Sequence, residues 1–177
     1  MPNDPQADET LRDGSRIVVR PMQRTDIELE RHFIEALSPE ARRFRFLGSM
    51  NTPSDALLHQ LTDIDEQRDA ALIALSGEGQ QLRQVGAARF SAAADGRAEV
   101  AVSVSDDWRQ KGLASLLMHR LIGIARHRGI KTLYSMDSAE NAAMRRLADY
   151  LGFERGVDPQ DATQVIYTLQ LNALASQ

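Results

Sequence analysis

The stretch Val102-Ser103-Val104-Ser105-Asp106-Asp107-Trp108-Arg109-Gln110-Lys111-Gly112-Leu113-Ala114 decides how the rest of the chain is read. It begins inside a strand. Alternation from Glu99 to Val104 sets Val100, Val102 and Val104 on one face, which reads as core. Glu99, Ala101 and Ser103 share the other, where two small side chains leave space over the sheet. A short loop follows, and Gly112 opens a helix expected to reach Arg128, with Leu113, Leu116, Leu117, Leu121 and Ile124 at helical spacing. Free N–H groups and the positive dipole end at such a helix start suit a phosphate or pyrophosphate. Gly112 lets a ligand approach the backbone, Ala114 keeps the next turn slim, and Arg109 and Lys111 add charge. The loop is not a Walker motif, because no Lys-Ser or Lys-Thr pair follows the glycine. A dinucleotide fingerprint would need further glycines.

Upstream, Arg16–Arg20 is β-branched and stops at Pro21, as a strand does. Thr25-Asp26-Ile27-Glu28 has the form of a capping box and predicts a helix to about Leu37. Ser38-Pro39 starts a second helix, ending near Gly48, and Thr52-Pro53 opens a third. Ala70–Ser76, Val85–Ser91 and Glu99–Val104 read as an antiparallel meander, with Asp95-Gly96 as a tight turn. Downstream, Thr132–Met136 is a strand, Asn141–Leu151 a helix stopped by Gly152, and Gln164–Leu171 a last strand. The expected fold class is mixed α/β.

The chain has 177 residues, enough for one ordinary core, so residues 15–177 are expected to form one domain. Residues 1–14 are polar and aperiodic and read as a flexible tail. In it Asp4, Asp8, Glu9 and Asp13 outweigh Arg12 by three, so most of the net charge of −4 lies there. From Trp108 to Met136 there is no acidic residue, while Arg109, Lys111, Arg120, Arg126, Arg128 and Lys131 are all basic. The acidic balance argues against bulk nucleic-acid binding. No apolar run is long enough for a membrane span and no signal peptide opens the chain, so a cytoplasmic protein is expected. With no cysteine there is no disulfide scaffold, thiolate metal site or cysteine nucleophile.

Arg109-x-x-Gly112-x-Ala114, between a valine-rich strand and an amphipathic helix, resembles the acetyl-CoA signature of the GNAT superfamily of N-acetyltransferases. Asn141 and, ten residues on, Leu151-Gly152-Phe153 resemble that superfamily's second block. Ile17–Pro21, Phe33–Glu40, Arg43–Phe46, Leu61–Asp65 and Asp106–Trp108 are similar to the acetyltransferase domain of bacterial Pat-type protein lysine acetyltransferases, from Ser15 to Leu171. Many Pat-type proteins fuse this domain to an acyl-CoA synthetase-like or cyclic-nucleotide module; no counterpart is expected in 177 residues, so that regulation is not carried over.

The resemblance implies a GNAT-type, mostly antiparallel sheet, splayed between two parallel strands, Glu99–Val104 and Thr132–Met136, and flanked by helices. It implies acetyl-CoA as cosubstrate and no metal. The pyrophosphate would lie on Arg109, Gln110, Lys111, Gly112, Leu113 and Ala114. Backbone groups near Val102 and Val104 would hold the pantetheine arm, and Asn141 would add a contact. Glu99 matches the family's catalytic glutamate and would take a proton from the attacking amine, since only about one lysine in two thousand is neutral at pH 7. Partial burial of Glu99 is expected to suit it to that task. By position alone, Glu99 reads equally as an exposed carboxylate beside the Asp95-Gly96 turn. Many members carry a tyrosine acid seven residues after the asparagine; here that position is Ala148, and Tyr150 is two residues off.

The expected acceptor is a protein lysine, for example on an acyl-CoA synthetase. A small amine, a protein N-terminus, or a non-catalytic acyl-CoA sensor are the alternatives. Neither nucleic acid nor membrane is expected as a partner. The four histidines lack metal-ligand spacing, and Asp63-x-Asp65-x-Gln67-x-Asp69 fails as a calcium loop at Arg68 and Ala74. Arg42, Arg43 and Arg45, beside Phe44 and Phe46, could face the cosubstrate, an acidic substrate or solvent.

Overall fold

The computed structural model describes residues 6–46, 50 and 52–172. Its eight strands are β1 (Ala7–Thr10), β2 (Arg16–Pro21), β3 (Asp69–Ser76), β4 (Arg83–Ala92), β5 (Arg97–Val104), β6 (Thr132–Ser138), β7 (Glu154–Val157) and β8 (Gln164–Gln170). They form one sheet in the order β1-β2-β3-β4-β5-β6-β8-β7. Helices α1 (Ile27–Ala36), α2 (Pro39–Phe46) and α3 (Asp55–Thr62) lie between β2 and β3 in the chain. Helix α4 (Leu113–His127) links β5 to β6, and α5 (Ala142–Leu151) links β6 to β7. Neighbouring strands are antiparallel except β5 and β6. The fold is the expected mixed α/β arrangement.

The sheet is buried on both sides, which explains the unbroken apolar run of β3. Ala70, Leu72 and Ala74 face a cluster containing Leu113, Leu117 and Leu121 of α4. Ala71, Ile73 and Leu75 face Phe33, Ile34 and Leu58 of α1 and α3. Helix α4 lies close to the sheet because Gly86 has no side chain. A Cβ there would come within 3.0 Å of Leu117 Cδ1 and 3.2 Å of Leu113 Cδ2.

The parallel pair is short. Arg97, Ala98 and Glu99 pair with Thr132, Leu133 and Tyr134, and the strands then part. Each keeps its outer neighbour past that point. β5 stays paired with β4 as far as Val104, and β6 with β8 as far as Ser138. The gap between them is therefore held open by two intact ladders.

Residues 7–10 correct the reading of the N-terminus as a flexible tail. They form β1, antiparallel to β2, with Ala7 opposite Val19 and Thr10 opposite Arg16. Leu11 is buried in the α4-side core. Gly14, at φ +86°, closes the turn, and its N–H donates to the Leu11 carbonyl at 2.9 Å. Ala-Asp-Glu-Thr shows no apolar period, so this edge strand is specified by its partner and its turn.

Other boundaries shift. A 3-10 turn at Arg24–Asp26 precedes α1, and the carboxylate that reaches back is that of Asp26, accepting from the Gln23 N–H at 2.7 Å. Asp26 also forks with Arg20, at 2.8 Å to each oxygen, which is why it is buried. Glu28 therefore does not form the expected capping box. Helix α3 starts after Ser54, whose side chain accepts from the Leu57 N–H, two residues later than Thr52-Pro53 suggested. β7 carries no burial signal, being exposed along its length. The expected end of the second helix near Gly48 lies outside the described residues. Among the described residues no helix is long and apolar enough to cross a membrane.

Leu11→Ala tests the N-terminal hairpin. It should cost about 2–4 kcal/mol, as for other large-to-small core changes, and lower the thermal midpoint. An unchanged midpoint would return residues 7–14 to the status of a tail.

Candidate active site

Where β5 and β6 part, a cavity of about 650 Å³ opens. Val100 to Val104 line one side and Ser135 to Asp137 the other, the loop before α4 closes one end, and α2 contributes Glu40, Ala41, Phe44 and Arg45. Of the expected site residues, Glu99, Val102, Val104, Arg109, Gln110, Gly112, Leu113, Ala114 and Asn141 all line it. Lys111 does not.

The loop is held in an unusual backbone conformation. Gln110 has φ +60°, the one positive value among described non-glycine residues, and Gly112 has φ +84°. Such left-handed positions cost energy and recur where a loop binds a ligand. The 3-10 turn Asp106–Trp108 anchors the loop through buried Trp108. Asp106 accepts from Arg109 at 2.8 Å and from the Ser38 N–H at 2.9 Å, tying the loop to the start of α2. The first intrahelical bond runs from the Leu116 N–H to the Gly112 carbonyl, so the amides of the first turn have no partner within the helix.

Lys111 corrects the expectation that it faces the ligand. Its ammonium binds the Asp13 carboxylate, lies 3.3 Å from the Ser15 hydroxyl, and stands 5.2 Å from the centre of the Trp108 ring. The Lys111 hydrogen bond, helped by the Ser15 amide and hydroxyl, holds the Asp13 carboxyl down to about 2. Arg120 is likewise paired, to Glu9. Arg12 takes a place beside the loop, its Nε 3.7 Å from where a Cβ on Gly112 would stand. Arg12 and Asp13 were missed because the tail reading removed them from the fold. The Asp13-Gly14 pair, of the same kind as Asp95-Gly96, was the available signal.

Glu99 is the last residue of β5 paired with β6, opposite Tyr134 on that side and Ser91 on the other, and it lines the cavity. It is exposed rather than partly buried, because the face it shares with Ala101 and Ser103 opens onto the cavity. It makes no hydrogen bond or ion pair among the described residues, and the charge it acts on is that of Arg45.

Asn141 begins α5. Its Oδ1 accepts from the Met144 N–H at 3.1 Å, and its Nδ2 lies 3.3 Å from both oxygens of Asp137. Burial pushes the Asp137 carboxyl up, against the pull of Asn141 and the Ser138 amide. Ala148 is fully buried in the core, so no side chain from that position reaches the cavity. Tyr150 is 64% exposed and meets His119 edge-on, with ring centres 6.0 Å apart. The three arginines of α2 separate cleanly. Arg42 donates to the carbonyls of Glu35 and Leu37, closing the end of α1. Arg43 reaches Glu140 at 3.3 Å, and Arg45 lines the cavity.

Comparison with known proteins agrees with this geometry. The model of the acetyltransferase (GNAT) family matches residues 34–153. The chain is 48% identical over 164 residues to the acetyltransferase PA5475 of Pseudomonas aeruginosa, covering 92% of this chain and 88% of that one. It is 31% identical over 144 residues to the acetyltransferase Pat of Mycolicibacterium smegmatis, covering 80% of this chain and 42% of the relative, less than half its length. The crystal structure of the GNAT domain of S. lividans PAT superposes with a TM-score of 0.84 at 27% identity, over 94% of this chain and 97% of that one.

The Asp13–Lys111 contact predicts a pH dependence. Asp13 titrates lower in the folded chain than its ordinary 3.8, so its contribution is complete above that value and is lost as pH falls toward 2. The thermal midpoint of Asp13→Asn should trail the wild type by a constant margin at neutral pH. That margin should shrink as pH drops below about 4. A margin that ignores pH would remove the ion pair from the account.

Proposed function

The chain belongs to the acetyltransferase (GNAT) family, and on that premise we propose that it transfers acetyl from acetyl-coenzyme A to the side-chain amine of a protein lysine. The parting of β5 and β6 carries the reading. Past Glu99 and Tyr134 the facing edges of the two strands have no ladder partner in each other. A narrow chain bearing amides can lie between them, and about 650 Å³ is the size of an ordinary ligand site. The backbone near Val102 and Val104 would hold the pantetheine arm. The amides from Gln110 to Ala114, with Arg109, would hold the pyrophosphate, and bare Gly112 leaves them approachable.

Acetyl-coenzyme A supplies an acyl group on a thiolate leaving group. Glu99 accepts the proton of the acceptor ammonium at the rim of the cavity. That proton transfer is the demanding step, because an ordinary lysine titrates near 10.4 and holds its proton at pH 7 by roughly 4–5 kcal/mol. The chain has no cysteine for an acyl-cysteine intermediate, and in this reading the amine attacks the thioester carbonyl directly. Ala148 supplies no acid, and a thiol titrates near 8.5, so its thiolate departs without one. The cavity lining mixes Glu40, Glu99, Asp137 and Glu140 with Arg45, Arg109 and Arg146, and Glu40 and Glu99, whose carboxylates make no hydrogen bond or ion pair among the described residues, are open to a cationic acceptor such as lysine.

Three experiments test the reading. Purified protein with labelled acetyl-coenzyme A and a cell lysate should label lysines, with acyl-CoA synthetases as the first candidates, when read by mass spectrometry. Label confined to small amines or protein N-termini would move the acceptor. Coenzyme A binding without any transfer would make the chain a sensor. Glu99→Gln should slow turnover at least ~100-fold, and full activity would release Glu99 from its role. Gly112→Asp should weaken coenzyme A binding, measured by calorimetry, because it sets a carboxylate where the pyrophosphate lies; equal affinity would exclude that placement.

A further inference from the structure

Among the described residues the Arg45 side chain makes no hydrogen bond or ion pair, and it lines the same cavity as Glu99. Ala101 and Ser103 lie with Arg45 in the lining of the main cavity and also of a small cavity behind it. These are the two small residues that follow Glu99 on its face of β5. The Arg45 guanidinium lies 4.9 Å from the centre of the Phe46 ring.

A second cation stands behind it. Arg89 donates through Nη1 to the Leu61 carbonyl at 3.1 Å. Its Nη2 is buried without a hydrogen bond, 3.8 Å from Glu30. Glu30 is the carboxylate of this buried group, and the Gln84 side-chain amide already donates to it. Glu30 thus acts on both guanidinium groups while already engaged by Gln84, and Asp69 also acts on Arg89. Burial, with the charge of Arg89, pulls Arg45 down to about 10, which still leaves it charged at neutral pH. A half-buried cation set beside a second cation is stabilised by an anion that comes to it. The carboxylate acting on Arg45 from the open side is Glu99, and the amine requires that one.

We propose that Arg45 receives a carboxylate carried by the acceptor itself, so that the accepted amine belongs to a molecule with an acidic group several bonds away. This rests on the transferase reading above. Ala101 and Ser103 lie roughly 7 and 13 Å along the strand from Glu99, and the near end of that range sets the scale of the separation between amine and carboxylate. That distance suits an acidic residue beside a target lysine and equally the carboxylate of free lysine. Arg42 and Arg43 do not compete for it, being committed to the end of α1 and to Glu140.

The test uses matched acceptors. Peptides with lysine next to glutamate are compared with glutamine twins, and free lysine with lysinamide. The wild type should favour the acid-bearing member of a pair by at least ~10-fold in kcat/KM, and the pair that discriminates identifies the source of the carboxylate. Arg45→Gln should reduce the ratio to about unity, Arg45→Lys should restore part of it, and coenzyme A affinity should be unchanged in both. Thermal melts exclude misfolding. No preference in the wild type, or a full preference in Arg45→Gln, overturns the proposal. NMR titration of the same pairs into the coenzyme A complex reads the charge preference without acetyl transfer. Failure of the transferase reading therefore shows as carboxylate-selective binding without turnover, and failure of the Arg45 proposal as turnover without selectivity.

Discussion

The structure depends on the parting of β5 from β6 after a three-residue parallel pairing. Backbone N–H and C=O groups need partners when water is excluded. Two strands that diverge inside a sheet therefore create either a defect or a binding site. Here the outer ladders to β4 and β8 run on past the split, so the divergence is rigid. The helices respect it. Gly86 lets α4 press onto β4 and brings its first turn to one end of the gap. Asn141 starts α5 at the other wall and fastens it to Asp137.

Charge is arranged around that gap with more economy than the linear chain suggests. The basic stretch from Trp108 to Met136 does not present all its cations to a ligand. Lys111 and Arg120 are matched by Asp13 and Glu9 of the N-terminal hairpin, and Arg109 by Asp106. The hairpin so braces the loop that carries Gly112, and it sets Arg12 beside that glycine. What this end offers an anion is backbone amides and the helix dipole more than free side-chain charge.

The other end of the cavity is built from α1, α2 and the small-residue face of β5. Glu99 is exposed at its rim, and Arg45 and Arg89 sit behind it with Glu30. Acid chemistry from α5 has no place here, since Ala148 is sealed in the core and Tyr150 points to solvent and His119. In the proposed reading one wall would hold an amine near a carboxylate and the loop at the other end would bind an anion.

Much of this was legible in the chain itself. The Val102–Ala114 stretch, the alternation of β5, the glycine opening α4 and the asparagine opening α5 are local patterns, because each is set by a strand's period of two, a helix's period of 3.6 or a cap. They yielded the fold class, and the resemblance to the GNAT family added site residues of which nine line the cavity. Tertiary structure alone decided four matters. The N-terminal hairpin has no apolar pattern, so its place comes from the edge of β2 and from ion pairs about a hundred residues away in sequence. The direction of Lys111, the exposure of Glu99 and the separate fates of Arg42, Arg43 and Arg45 depend on which neighbours pack against them. A side chain's partner is a property of the assembled sheet, and neither composition nor periodicity carries that information.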